Sequence, residues 1–166
     1  MRIVRKPGKF YLHFNTQEKL LWLEVLELYP RVPPAHLPLS KGGRLPDQPG
    51  NQQLLEEALA EQRAKNKRQI EELQADPRRW TQTKSGFGLS LSRAEVEWLL
   101  QVFNDIRVGS WVRLGSPEEL APAPTQENLR GFWAMELSGQ FQAGLLGALE
   151  GGAITGADSG PQPAQD

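Results

Sequence analysis

The chain has 166 residues and no cysteine, so its sequence excludes disulfides, thiolate zinc sites and a cysteine nucleophile. Its formal net charge of -1 at pH 7 provides no overall field that would attract a phosphate backbone or an anionic membrane. The length is sufficient for one domain with its own hydrophobic core. A chain without cysteine is compatible with a reducing compartment, and we predict a cytoplasmic location.

The N-terminal residues predict a β-hairpin followed by a helix. Apolar residues at 3–4 and 10–14 flank a Pro-Gly pair, which is typical of a type II turn. Asn15 and Glu18 have the spacing of a capping box, and Pro30 ends the apolar run that follows. The first residues lack the apolar stretch of a signal peptide, so no export is expected.

The central part of the chain alternates between loop and charged helix. Residues 30–50 are rich in proline and glycine and predict a long exposed loop. Residues 51–75 carry alternating acidic and basic blocks around a thin apolar line, which indicates a helix with much of its surface in water. Residues 80–91 contain two glycines and some alternation, and they predict one short strand.

Two apolar helices are predicted in the C-terminal half. The first covers residues 92–114 and begins with the capping box of Ser92 and Glu95; the second covers residues 126–149. Polar residues inside the second helix exclude a membrane span. Residues 151–166 have the composition of a disordered tail. We therefore expect one mostly helical domain over residues 1–150, a bundle of about four helices with a short N-terminal β-hairpin.

The helix over residues 92–114 is apolar on two sides. At about 100° per residue, one face is a broad apolar stripe, and Trp98 and Val102 lie around Asp105 on the opposite face. Such a helix lies at the centre of a bundle or lends its second face to another chain. Trp98, Val102 and Asp105 are therefore predicted interface residues.

Arg107 lies near the middle of the apolar stripe of the same helix. A buried arginine keeps its proton and needs acceptors, unless its head reaches water. Glu136 and Gln140 project from the apolar stripe of the last helix, and Glu18 lies at the top of the apolar face of the first. We predict a buried cluster in which Arg107 pairs with Glu136 first and Glu18 second, while Gln140 and Asn104 complete the hydrogen bonds.

This predicted cluster has two interpretations. A buried ion pair can be retained to maintain a unique packing, since removing one partner costs roughly 3–5 kcal/mol. Alternatively, the cluster is the floor of a pocket in which Glu136 is a base and Arg107 anchors an anion. The sequence places no nucleophile beside these residues, which favours the structural interpretation and argues against an enzyme.

The same helix carries a family resemblance. Its motifs are a Trp-Leu pair, an Asn-Asp-Ile-Arg tetrad and an Arg-Leu-Gly ending, at Trp98-Leu99, Asn104-Asp105-Ile106-Arg107 and Arg113-Leu114-Gly115. They resemble the central signature, Asn-Asp-Leu-Arg, of an uncharacterised, mainly actinobacterial protein family of unknown function. Glu18 and Gln140 match a first-helix Glu and a last-helix Gln of that family, whereas Val108, Ser110 and Trp111 depart from its pattern. The resemblance implies no activity; the genes of the family tend to lie near a Clp protease adaptor, which implies a regulatory partner.

Other motifs carry weaker signals. His13 and His36 are isolated, so neither a metal site nor a cofactor is predicted. The segments 40–44 and 84–88 are rich in glycine and basic residues, but they match neither a Walker spacing nor a dinucleotide fingerprint.

The sequence leaves three functions open. We favour a non-enzymatic cytoplasmic interaction or regulatory module with a protein partner or a second copy, and Gly139, Ala143 and Gly147 have a spacing that permits close helix approach. The alternative is a small-molecule or anion-binding protein with a site around Arg107, Glu136 and Asn104. Nucleic-acid binding is the least favoured, because acidic blocks flank its only candidate patch, Arg63-Ala64-Lys65-Asn66-Lys67-Arg68 with Arg78, Arg79 and Trp80.

Overall fold

The computed structural model describes residues 1–33, 48–118 and 124–151. Within these ranges the chain forms four α-helices, one 3-10 turn and a four-stranded sheet. The elements are β1 (Arg2–Lys6), β2 (Lys9–Phe14), α1 (Thr16–Leu26), α2 (Gln48–Ala75), the 3-10 turn (Pro77–Arg79), β3 (Trp80–Thr83), β4 (Gly86–Leu91), α3 (Arg93–Arg113) and α4 (Leu129–Leu149). The predicted helical majority and N-terminal hairpin are confirmed. Most of the predicted 30–50 loop and nearly all of the predicted 151–166 tail lie outside the described residues.

The sheet corrects the prediction of a simple bundle. All its strand pairs are antiparallel, in the order β1-β2-β4-β3. The single strand predicted over residues 80–91 is in fact a second hairpin, whose strand β4 pairs with β2 so that Phe10 lies opposite Leu91. Gly86 makes this possible: its φ is 148°, and a Cβ there would overlap the carbonyl oxygen of Phe14. The sequence pattern of glycines weakened the strand signal at the very place where glycine is required.

The core lies between one face of the sheet and helices α1, α3 and α4. Alternate residues of β2, namely Phe10, Leu12 and Phe14, are buried against it. At its centre the Trp22 ring lies 4.8 Å from the Phe103 ring and 4.9 Å from the Phe141 ring, measured between centroids. One aromatic cluster therefore joins α1, α3 and α4.

Both predicted capping boxes are present. Asn15 and Glu18 cap α1, and Ser92 and Glu95 cap α3, each with the reciprocal pair of hydrogen bonds. The last helix begins at Leu129 rather than residue 126, because the Asn128 side chain accepts the Thr125 N–H in a preceding turn. In the described ranges, no helix combines the length and the apolar character that crossing a membrane requires.

Candidate functional site

A surface groove between α3 and α4 contains three of the five residues of the predicted cluster. Arg107, Glu136 and Gln140 line it, together with Trp111 and Ala143, around a volume of about 540 Å³. Arg107 and Gln140 are exposed, and Glu136 is half-buried. No carboxylate of the described residues lies within ion-pair distance of Arg107. We refer to this feature as the Arg107 groove.

The prediction that Arg107 is buried is therefore wrong. Gly139 of α4 lies under the arginine stem, because a Cβ built there would be 3.6 Å from Arg107 Cδ. The aliphatic stem thus packs on the glycine while the guanidinium extends into water, as long cationic side chains commonly do. Helix periodicity correctly placed Arg107 on the side of α3 that faces α4. It could not show that a glycine of α4 would leave room for the guanidinium to reach water.

Asn104 and Glu18 do not belong to the Arg107 groove. Asn104 is exposed and lines a separate groove of about 490 Å³ with Val32, Asp105 and Gln142. The Glu18 carboxylate caps α1 by accepting the Asn15 N–H at 2.8 Å, and it also accepts from the Met1 ammonium. The predicted five-residue cluster therefore divides into three separate locations.

The second face of α3 is covered by α2 rather than by another chain. Trp98 is half-buried and Val102 is fully buried, so the prediction of an interface there is wrong. Ile70 and Leu73 of α2 are buried in the core beside this face. The sequence of α2 did not predict that α2 covers α3, because its apolar line is thin. A long helix needs only a few buried side chains when a polar contact supports them.

That polar contact is centred on Asn66, which is 4% exposed. Its side-chain oxygen accepts the Trp98 indole N–H at 3.1 Å and a Gln62 amide N–H at 2.9 Å, and its own amide donates to the Tyr29 hydroxyl at 2.8 Å. Burial, together with the nearby Asp105 charge, raises the pKa of Tyr29, although the hydrogen bond from Asn66 opposes the shift. This Asn66 cluster was missed in the sequence, where a polar residue one turn before Ile70 was the available signal.

Asp105 is an anchor for the segment that follows α1. Its Oδ1 atom accepts the backbone N–H groups of Arg31 at 2.6 Å and Val32 at 3.2 Å. Arg63 of α2 donates to the Val32 carbonyl at 2.8 Å, and its Nη2 lies 3.9 Å from Asp105 Oδ2. The carboxylate of the Asn-Asp-Ile-Arg motif therefore has an architectural role, since its oxygens are occupied by backbone and by arginine.

Three of the six basic residues of the candidate nucleic-acid segment make contacts within the chain, whereas Lys65, Lys67 and Arg68 are exposed. Besides Arg63, Arg79 donates to Glu95 at 2.6 Å, and Arg78 pairs with Asp76 at 3.0 Å. Burial raises the pKa of Glu95, but hydrogen bonds from Ser92 and Arg79 outweigh it, so the pKa lies below its usual range. These pairs occupy arginines that a nucleic-acid backbone would otherwise need.

The remaining motifs provide no site of their own. The segment 84–88 forms the tight turn between β3 and β4 and the start of β4, not a strand-to-helix loop, whereas the segment 40–44 and His36 lie outside the described residues. In the part of the chain that the structure describes, no three His, Cys, Asp or Glu side chains come together as metal ligands. His13 is exposed on β2.

The outer face of α4 is an exposed surface of low charge. Its members are solvent-exposed and uncharged: Leu129, Trp133, Gln140, Ala143 and Leu146. Trp133 is 53% exposed and Leu146 is 43% exposed. Between residues 131 and 149 the helix has one charged residue, Glu136. By contrast, half of the exposed residues of α2 between residues 50 and 75 are charged.

Comparison of the chain with protein-family models, curated proteins and solved structures finds no match.

Proposed function

We propose that the protein is a non-enzymatic interaction module of the cytoplasm, in which the outer face of α4 binds a second copy of the chain. The observation that carries this proposal is the 53% exposure of Trp133 on a helix with so little charge. A helix that is apolar on all sides is normally covered on all sides. A contiguous exposed apolar surface on a water-soluble domain commonly marks an interface.

The same surface is suited to self-association. Ala143 and Gln140 lie at its centre, where small or uncharged side chains allow a second helix to approach closely. Arg107 and Glu136 line the adjoining groove, and neither is in an ion pair with a described residue. In a two-fold contact each surface meets its own copy, so Arg107 of one chain can pair with Glu136 of the other in both directions.

Two further observations from the sequence support this proposal. The absence of cysteine supports a cytoplasmic setting. The resemblance to the family whose genes lie near a Clp protease adaptor supports a regulatory role for the dimer. The alternative of a small-molecule site around Arg107, Glu136 and Asn104 has weaker support, because Asn104 lines a different groove.

Light scattering coupled to size-exclusion chromatography of the full chain tests the proposal. We expect a dimer for the wild type and a folded monomer for Ala143→Arg, because the new side chain places a charge at the centre of the contact. Leu54→Arg is the matched control, since Leu54 is 64% exposed on α2 and this variant should remain dimeric. A monomeric wild type, or an Ala143→Arg variant that remains dimeric, would show the proposal to be wrong.

A further inference from the structure

Three arginines from different segments converge at one end of α3. Arg31 follows α1, and its backbone lies directly on α3: its N–H donates to Asp105 at 2.6 Å, and a Cβ on Gly109 would overlap its carbonyl carbon. Arg113 lies one turn beyond Gly109 on the same stripe of α3. The backbone of Arg31 is therefore held about one helical turn from Arg113.

The third arginine comes from the start of α4. A Cβ built on Gly131 would lie 3.1 Å from Leu114 Cδ2, so the first turn of α4 packs against the last turn of α3. Arg130 precedes that glycine and is exposed beside the same junction. Burial is the larger cause of a lowered pKa at Arg31, and the charges of Arg113 and Arg130 lower it further.

None of these guanidinium groups has a protein acceptor among the described residues. Within the described ranges, no ion pair or hydrogen bond uses the side chain of Arg31, Arg113 or Arg130. The Nε atom of Arg31 is buried without a hydrogen-bond partner. Glu24 and Glu27 share a neighbouring groove with Arg130, but neither carboxylate forms an ion pair with it. The Trp22 indole nitrogen is also buried without a partner, but it lies in the aromatic core, whereas Arg31 carries a charge.

The local helix ends add to this excess of positive charge. The first turn of α4 has no acidic residue, and Asn128 provides no side-chain cap, so within the helix nothing offsets the positive end of the dipole; the nearest acidic residue in the chain is Glu127, just before the cap. Arg113 by itself has a simple structural explanation, because a cation in the last turn of α3 is favourable. That explanation does not extend to Arg130, which lies at the end of α4 where a cation is unfavourable.

We propose that Arg31, Arg113 and Arg130 bind a phosphate group, either free phosphate or the phosphate of a small phosphorylated molecule. Guanidinium groups match the geometry of phosphate oxygens and donate two hydrogen bonds each to them. A dianion neutralises most of the charge of three arginines. Arg130 lines a groove together with Trp133 of the outer face of α4, but none of the three arginines is a member of that face, and the proposal does not depend on dimer formation.

Isothermal titration of the full chain with inorganic phosphate tests this site, with sodium chloride at equal ionic strength as the salt control. We expect saturable phosphate binding that chloride does not reproduce. Arg113→Gln and Arg130→Gln should each weaken it by about tenfold or more, since each removes a charge-assisted pair. Arg68→Gln makes the same change of charge on the exposed surface of α2 and should bind as the wild type does. Equal binding by the wild type and both site variants, or no binding beyond chloride, overturns the proposal.

A second titration with phenyl phosphate distinguishes the two sources of the phosphate. Tighter binding of the ester supports a phosphorylated small molecule, whereas equal or weaker binding supports free phosphate. Thermal unfolding provides an independent measurement. Arg130→Gln should raise the melting temperature without phosphate, because it relieves repulsion, and should reduce the gain that phosphate produces. A lower melting temperature together with an unchanged phosphate gain would identify Arg130 as a structural residue and overturn the proposal.

Discussion

The indole N–H of Trp98 donates to the side-chain oxygen of Asn66 at 3.1 Å, and this bond joins α3 to α2. Because Asn66 also donates to the Tyr29 hydroxyl, one buried amide connects both helices to the end of α1. The Asn66 cluster thus lies on the face of α3 that was expected to bind another molecule.

The Asn66 cluster makes a specific contribution to stability. Asn66→Ala leaves the Trp98 N–H and the Tyr29 hydroxyl without their buried partner, so we expect a loss of about 2–4 kcal/mol in the free energy of unfolding. Urea denaturation followed by tryptophan fluorescence measures this loss. Lys67→Ala changes the adjacent exposed position and should cost far less. Similar losses for the two variants would contradict the role assigned to Asn66.

The Asp105 anchor holds the segment after α1 in place. Asp105→Ala removes the acceptor of the Arg31 and Val32 N–H groups, and we expect a loss of about 1.5–3 kcal/mol because the acceptor is charged. Asp105→Asn keeps one acceptor oxygen and should lose less. Hydrogen exchange at the two amides, measured by NMR, should become faster in the alanine variant. Unchanged exchange at both amides would show that Asp105 does not anchor this segment.

Two glycines on the surfaces that join α3 to its neighbours should respond differently to alanine. A methyl group at Gly109 would overlap the backbone of Arg31, so Gly109→Ala should destabilise the protein by about 1–3 kcal/mol. Gly139 has 3.6 Å to its nearest neighbour, and Gly139→Ala should be neutral or stabilising through helix propensity. Paired unfolding curves test this contrast. Equal stability of the two variants would show that the close approach at Gly109 is relaxed in solution.

Stability should decrease in acid through the lowered pKa of Glu95. The folded state holds its carboxylate with Ser92 and Arg79, so its pKa is lower than in the unfolded chain. The stabilisation is therefore complete above the unfolded pKa of about 4.3, and it is lost as the pH falls through the lower folded pKa. Urea midpoints measured across this acidic range should show a smaller decline for Glu95→Gln than for the wild type.

The control for this pH series is Glu71→Gln, which removes the same charge from an exposed position of α2. Its midpoints should decline with falling pH as those of the wild type do. If Glu95→Gln declines as steeply as the wild type, the carboxylate of Glu95 contributes no acid-sensitive stability.

Local hydrogen bonding made several elements predictable from the sequence. The capping boxes at Asn15 and Ser92 join residues only three positions apart, and the first hairpin closes over a Pro-Gly turn. Such features depend on spacing that the sequence displays directly. The helical majority followed from apolar periodicity for the same reason.

Contacts between distant segments account for the errors. The pairing of β2 with β4 depends on Gly86 meeting Phe14, which lies far away in the chain. The exposure of Arg107 depends on Gly139 beneath its stem. Periodicity shows which side of a helix is apolar, but it does not show which neighbour will cover each part of that side.

The sequence by itself determined where α1 and α3 begin, that the chain is mostly helical, and that it opens with a hairpin. Tertiary structure alone decided that α2 covers the second face of α3, that Asp105 binds backbone, and that the backbone of Arg31 lies against Gly109. The physical reason is the separation along the chain of the residues in contact. Caps and turns are completed within a few residues. A buried amide or a group of arginines forms only when packed helices bring distant side chains together.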